Sequence, residues 1–113
     1  ADYEVGTVVI FGGEKEITVS SMGSDPRVAG VISGNPAYLM NNDASGQAVA
    51  LQGKVPCKVV GQISKGDMLV THSQHPGVAR KGTNPTIGTV IGKALEDYNS
   101  NEIGTINIVA GRQ

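Results

Sequence analysis

The feature that most constrains this chain is a period-two alternation of apolar and polar residues, repeated in short segments. The alternation is clearest where Val55, Cys57 and Val59 are separated by polar residues or proline, and it recurs over residues 16–20 and 105–109. This period is typical of β-strands that are buried on one face. Residues 7–11, 28–33, 48–51, 68–71 and 86–94 are rich in β-branched side chains and are also predicted as strands.

Turn-forming residues separate these predicted strands. The chain has 16 glycines and five prolines spread along its length, and both residue types favour turns. Gly12-Gly13 predicts a tight hairpin turn between the first two strands, and Pro56 predicts that its strand lies at a sheet edge or carries a bulge. One short helical turn is expected around residues 36–40, which begin with Pro36. The pattern predicts a single all-β domain over residues 1–113, a compact barrel or sandwich of short strands.

A weak internal repeat relates the two halves of the chain. Residues 6–11 resemble residues 66–71, and residues 26–33 resemble residues 85–92, both at an offset of about sixty. The repeat predicts two pseudo-repeated halves, each with a hairpin, a loop, a strand containing Val-Ile and a return strand. The alternative is a chance likeness between similar strand patterns.

Composition and charge narrow the possible partners. The formal net charge is −1, which gives no basis for binding nucleic acid, and no apolar run approaches the length needed to span a bilayer. We therefore expect no nucleic-acid partner and no membrane insertion. The single cysteine excludes an internal disulfide. Only 4% of residues are aromatic, so the core is thin and self-association would help to stabilise it.

Few residues suggest chemistry. His72 and His75 are spaced to face one metal ion, but a site needs three or four ligands, so two solvated histidines, or a cluster across an oligomer axis, are the alternatives. Cys57 is expected to be a buried, inert thiol. The dispersed carboxylates show no spacing that indicates acid–base catalysis and are expected on the solvated surface: Glu14, Glu16, Asp25, Asp43, Asp67, Glu96 and Asp97.

Other side chains give no clearer site. Ser24 and Ser33 lack the strand-to-helix turn of a hydrolase nucleophile. Lysines without interleaved aromatic residues make a poor platform for single-stranded nucleic acid, and four aromatic residues are too few for a sugar-stacking surface. We therefore predict no catalytic, cofactor or metal site. The residues concerned are Lys54, Lys58 and Lys65, and Tyr3, Phe11, Tyr38 and Tyr98.

Four segments carry a resemblance to a known class of protein. They are residues 2–13 (DYEVGTVVIFGG), 27–41 (RVAGVISGNPAYLMN), 53–70 (GKVPCKVVGQISKGDMLV) and 87–97 (IGTVIGKALED). In this order they resemble the C-terminal domain of fibre-like virion structural proteins of contractile-tailed phages, especially those infecting cyanobacteria. The resemblance implies a homotrimer in a virion appendage, as the C-terminal part of a longer chain. Its implied partners are its own copies, other virion proteins and a host surface receptor. We expect Val8, Ile10, Val31 and Ile106 to line the threefold axis.

A more distant resemblance links the chain to the peptidase G2 family of intramolecular chaperone domains, some of which cleave themselves from their parent chain. The sequence lacks the long C-terminal helix of that pattern, and no cleavage nucleophile can be placed. Three functions follow as hypotheses. The first is a non-enzymatic virion fibre domain for assembly or tip capping, and the second is an autoproteolytic chaperone. The third is a capsid decoration protein, because β-rich domains of this size also cap capsid trimers.

Overall fold

A computed structural model describes residues 3–12, 17–34, 48–86 and 88–111 of the chain. These residues contain strands and turns but no helix, which confirms the predicted all-β class. The helical turn expected around residues 36–40 lies outside them. The strands are β1 (Val8–Phe11), β2 (Ile17–Thr18), β3 (Val28–Ser33), β4 (Ala48–Ala50), β5 (Gly53–Ile63), β6 (Met68–Thr71), β7 (Ala79–Lys81), β8 (Gly92–Ala94) and β9 (Tyr98–Ala110).

The strands form one open sheet and one closed barrel. The sheet has the order β2-β1-β3-β4, and the barrel has the order β5-β7-β6-β8-β9. Neighbouring strands are antiparallel except β5 and β7, which pair in parallel at Val59 and Ala79. The longest pairing joins β5 to β9, from Gly53 opposite Ala110 to Ile63 opposite Tyr98. Closure matters because a closed sheet leaves no free strand edges.

Two clusters of buried side chains form the core. The larger one joins residues of the sheet, such as Val8 and Val31, to residues of the barrel, such as Cys57 and Ile108. The predicted alternation in β5 is confirmed, since its apolar residues are buried whereas Lys54 is exposed. The smaller cluster lies within the sheet and consists of Val9, Ile17, Ile32 and Val49, with Tyr3 and Ala29 packed against it.

The expectation that Val8, Ile10, Val31 and Ile106 line an oligomer axis is wrong. All four side chains are at most 4% exposed within the single chain and belong to its larger core cluster. Alternation identifies the buried face of a strand, but it does not distinguish a face covered by the same chain from one covered by a neighbour.

The strand order of the sheet recurs in the barrel. Strands β2-β1-β3-β4 of the first half match β7-β6-β8-β9 of the second half in order and direction. The registers match as well: Val9 lies opposite Gly30 in the sheet, and Leu69 lies opposite Gly92 in the barrel. Strand β6 is thus offset from β1 by 60 residues, whereas β8 is offset from β3 by 62. The predicted repeat pairs residues 26–33 with 85–92, so for β3 and β8 it is wrong by three positions.

The local predictions have mixed outcomes. The predicted hairpin joins β1 to β2, with Phe11 opposite Ile17, and Gly13 of the predicted Gly12-Gly13 turn lies outside the described residues. Strand β5 carries a bulge between Val59 and Gly61, as Pro56 predicts for its strand, and it is not an edge strand because it pairs with both β7 and β9. Of the strand predicted over residues 86–94, only β8 forms.

Candidate functional site

Asp25 is the centre of a buried polar network at the start of the turn that leads into β3. Its side chain is fully buried, although the sequence placed it on the solvated surface. Oδ2 of Asp25 accepts a hydrogen bond from Oγ of Ser20 at 2.6 Å, and its two carboxylate oxygens accept bonds from the Arg27 guanidinium at 2.9 and 3.1 Å. The hydrogen bond from Arg27 is the main cause that lowers the pKa of Asp25 from 3.8 to about 2. The carboxylate is therefore ionised and has its partners within the chain.

Thr71 joins this network to the barrel. The backbone N–H of Asp25 donates to Oγ1 of Thr71 at 2.7 Å, and the Thr71 hydroxyl donates to the carbonyl oxygen of Met22 at 2.7 Å. The N–H of Ser24 donates to the carbonyl oxygen of Thr71 at 3.1 Å. These bonds cross from the end of β6 to the turn before β3. The network thus links the sheet to the barrel, and its role is structural.

The rings of His72 and His75 lie close together, but the Nδ1 lone pair of His72 already accepts a hydrogen bond. The rings of His72 and His75 meet edge to face, with centroids 4.7 Å apart. Nδ1 of His72 accepts a hydrogen bond from the N–H of Gln74 at 3.0 Å, so the neutral ring carries its proton on Nε2 and has no lone pair left for a metal. Burial, followed by the positive charges of His75 and Arg80, lowers the pKa of His72 and favours that neutral ring. Among the described residues, no three His, Cys, Asp or Glu side chains come together as ligands.

Cys57 lies in the barrel interior, as predicted. Its side chain is fully buried, and burial raises the pKa of its thiol to about 12. The Cys57 thiol donates a hydrogen bond to the carbonyl oxygen of Lys58, with an Sγ–O distance of 3.5 Å. Because the thiolate is the reactive form of cysteine, Cys57 behaves as a small apolar side chain.

Several other carboxylates accept backbone hydrogen bonds in turns. Asp67 accepts from the N–H of Ser64 at 2.8 Å, and Asp97 accepts from the N–H of Lys65 at 2.7 Å. Glu96 accepts from the N–H of Asn107 at 2.6 Å. These three side chains therefore stabilise loops, and Asp67 and Asp97 do so at the adjacent amides of Ser64 and Lys65. Glu14, Glu16 and Asp43 lie outside the described residues.

The lysines and serines named in the sequence are also dispersed. Lys58 pairs with Glu4 across the join between sheet and barrel, whereas Lys54 and Lys65 are exposed. Ser24 lies in a turn with φ of +51°, and Ser33 is buried at the end of β3. The structure brings none of these side chains to a common site.

The aromatic residues are also apart. Tyr3 packs on the smaller core cluster and Tyr98 on the larger one, while Tyr38 lies outside the described residues. Phe11, the chain's single phenylalanine, is 44% exposed at the end of β1. Phe11 lies at the edge of an apolar cleft.

An apolar cleft of about 250 Å³ lies between the sheet and the barrel. Its lining includes the exposed side chains of Phe11 and Leu51, and none of the lining residues that the structure describes is charged. The cleft could not be predicted from local sequence patterns, because its walls come from distant parts of the chain. The lining residues are Phe11, Val28, Ala29, Gly30, Leu51, Val90, Ile91 and Gly111.

The cleft also follows the internal repeat. In the register set by Gly30 and Gly92, Val28 corresponds to Val90 and Ala29 to Ile91. Equivalent backbone segments of the two halves therefore line the same cleft. Its walls are strand segments and their immediate flanks.

Comparisons with models of protein families, with curated proteins and with solved structures return no match for this chain. In the part of the chain that the structure describes, no helix is long and apolar enough to cross a membrane. Function is therefore inferred from the chain's own residues.

Proposed function

We propose that this chain is a non-enzymatic structural domain of a phage virion appendage, which assembles as a homotrimer and caps or nucleates a fibre. The segments that carry the phage-fibre resemblance contain β1, β3, the whole of β5, most of β6, and β8. The resemblance supplies the virion context and the threefold symmetry, and the surface of the domain supplies a place for self-association.

The apolar cleft is the observation that carries this proposal. Phe11 and Leu51 are 44% and 46% exposed at the cleft, in a chain where aromatic side chains are scarce. Exposed apolar side chains that adjoin a concave apolar surface mark interaction sites on soluble proteins. Burying them against neighbouring copies would add apolar contact to a core built mainly from Val, Ile and Ala. In this proposal the trimer interface is formed by the cleft, and not by Val8, Ile10, Val31 and Ile106, which are buried in the core.

Oligomeric state tests the proposal. Light scattering at micromolar concentration should give about three times the chain mass of 11.6 kDa. A double variant, Phe11→Ser with Leu51→Ser, should shift the protein to monomer while its far-ultraviolet spectrum stays unchanged. Met22→Ser is the matched control, since Met22 is 51% exposed but does not line the cleft. A monomeric parent protein, or equal dissociation by the control, would contradict the proposal.

Intact-mass measurement separates the fibre role from the chaperone hypothesis. A longer parent chain that carries this domain should keep its full mass after expression and purification. A released C-terminal fragment would instead support an autoproteolytic chaperone. Binding of the purified trimer to fibre-less particles, and not to bare capsids, would distinguish an appendage domain from a capsid decoration protein.

A further inference from the structure

The loop between β6 and β7, residues 72–78, holds the barrel against the sheet. The carbonyl oxygen of Gly77 accepts a hydrogen bond from the backbone N–H of Val8 in β1 at 2.8 Å. Gly77 has a φ of +81°, and a Cβ atom there would lie 2.8 Å from the Thr7 side chain and 3.3 Å from the Val19 side chain. The loop therefore packs directly on the sheet, and a displacement of Gly77 would break its bond to β1.

Hydrogen bonds within the loop depend on the protonation state of His72. The N–H of His72 donates to the carbonyl oxygen of Val78 at 3.1 Å, and the N–H of Val78 donates to the carbonyl oxygen of His75 at 3.1 Å. Inside this frame, Nδ1 of His72 accepts a hydrogen bond from the N–H of Gln74 at 3.0 Å. A protonated imidazole has a donor on each nitrogen and no acceptor. The bond from Gln74 therefore exists only while the His72 ring is neutral.

The groups around His72 oppose its protonation. Burial is the main cause that holds the pKa of His72 below 6.5, followed by the positive charges of His75, whose ring centroid is 4.7 Å away, and of Arg80 on β7. Arg80 also reaches the turn before β3, where a Cβ atom on Gly23 would lie 3.3 Å from its Nη2. The carboxylate of that turn, Asp25, is bonded within its own network. The described charged groups that act on His72 are thus both cationic.

We propose that His72 is a pH-sensitive latch, which keeps the β6–β7 loop bound to β1 while its ring is neutral and releases the loop when the ring is protonated. Protonation places a hydrogen on Nδ1, so that this hydrogen and the N–H of Gln74 become two opposed donors across 3.0 Å. It also adds a positive charge beside Arg80. Gln74 then has to move, and because the loop runs from Gln74 to Gly77 in three residues, the movement disrupts the bond from Val8 to Gly77. This inference does not depend on the proposed virion role.

The response to acid should begin below pH 6.5. Because folding lowers the pKa of His72, the unfolded loop binds more protons, so the stabilisation by the neutral ring is complete above pH 6.5 and lost as the pH falls through the folded pKa. NMR titration of the His72 ring from pH 7 to about pH 4.5 follows this step above the range in which Asp25 titrates. Over the same range, the hydrogen-exchange protection factors of Gln74 and Val8 should fall about fivefold, as for one lost hydrogen bond. Protection in the β5–β9 pairing should not change.

His72→Asn is the matched variant, because its side-chain oxygen can accept the bond from Gln74 in place of Nδ1 but does not titrate. In this variant, the protection factors of Gln74 and Val8 should be the same at both ends of the pH range. His75→Asn removes one neighbouring positive charge and should raise the pKa of His72 in the same titration. The inference would be overturned by a His72 ring that stays neutral down to about pH 4.5, by loop protection that persists after the ring is protonated, or by a loss confined to Gln74. An equal loss of protection in His72→Asn would also overturn it.

Discussion

At the scale of single residues, the buried Asp25 carboxylate makes stability depend on pH. Its carboxylate is fully buried and bonded to Ser20 and Arg27. A folded pKa of about 2 against 3.8 means that the unfolded chain binds more protons between these values. The stabilisation is therefore complete above about pH 4 and lost as the pH falls through 2, and it amounts to about 2 kcal/mol. Because Arg27 is 55% exposed, solvent screens its share, and this figure is an upper value.

Asp25→Asn should therefore destabilise the fold by about 1.5–3 kcal/mol at pH 7. The amide places a donor where Ser20 and Arg27 both donate, and it removes the charge. The variant should also lose less stability than the parent between pH 4 and 2. Denaturant unfolding at pH 7 and at pH 3 measures both effects. Glu102→Gln, at an exposed position, should leave stability nearly unchanged, and an equal loss in both variants would contradict the assigned role of Asp25.

At the scale of strands, two glycines allow the closest approaches in the fold. A Cβ atom on Gly30 would lie 2.3 Å from the carbonyl oxygen of Ala50, and one on Gly92 would lie 2.1 Å from that of Val109. Both neighbours are backbone atoms, so either methyl group would force paired strands apart. Gly30 and Gly92 occupy matching registers in the two halves, which explains why both third strands carry glycine at this point.

Gly30→Ala and Gly92→Ala should each cost at least about 3 kcal/mol of stability, as severe overpacking does. Gly34→Ala is the matched control, because among the described residues its new methyl group would meet only the Val5 side chain, at an ordinary 3.7 Å. Its effect should stay within about 1 kcal/mol. Denaturant unfolding midpoints, compared among the three variants, measure these differences in stability. Equal midpoints would show that the paired strands can separate at that point without loss of stability.

Strands that carry a regular apolar pattern were predictable from sequence. The bounds of β3 and β6 match the prediction, and the inward face of β5 was identified correctly. Strand β7 was missed because its Ala-Arg-Lys sequence shows no apolar alternation. The apolar residues Val90 and Ile91 precede β8 and lie outside the strand, although the N–H of Ile91 already donates to the carbonyl oxygen of Leu69 in β6 at 2.7 Å.

Side-chain sites were less predictable because their parts are distant in sequence. The burial of Asp25 depends on Thr71, 46 residues further along the chain. The cleft needs Phe11, Leu51 and Ile91 from three separate segments. Local patterns give the secondary structure of each segment but not which segments meet.

At the scale of the whole molecule, the sheet and the barrel share one core. The larger cluster contains Ile10 and Val28 from the sheet together with Leu69 and Ile106 from the barrel. Neither part can unfold without exposing apolar side chains of the other. Separating the two parts would expose much of the apolar area that each buries, and the sheet would keep only its small core cluster. The repeated halves therefore form one cooperative unit.

Calorimetry should consequently show a single unfolding transition whose calorimetric and van't Hoff enthalpies agree at a fixed protein concentration. Thr71→Val keeps the side-chain shape but removes the hydroxyl that bonds Asp25 and Met22. It should lower stability by about 1–3 kcal/mol, chiefly by leaving the buried N–H of Asp25 without its partner. The transition should remain single, because the shared apolar core is intact. Two resolved transitions in the parent chain, or their appearance in Thr71→Val, would show instead that the sheet and the barrel are separate folding units joined mainly by this polar contact.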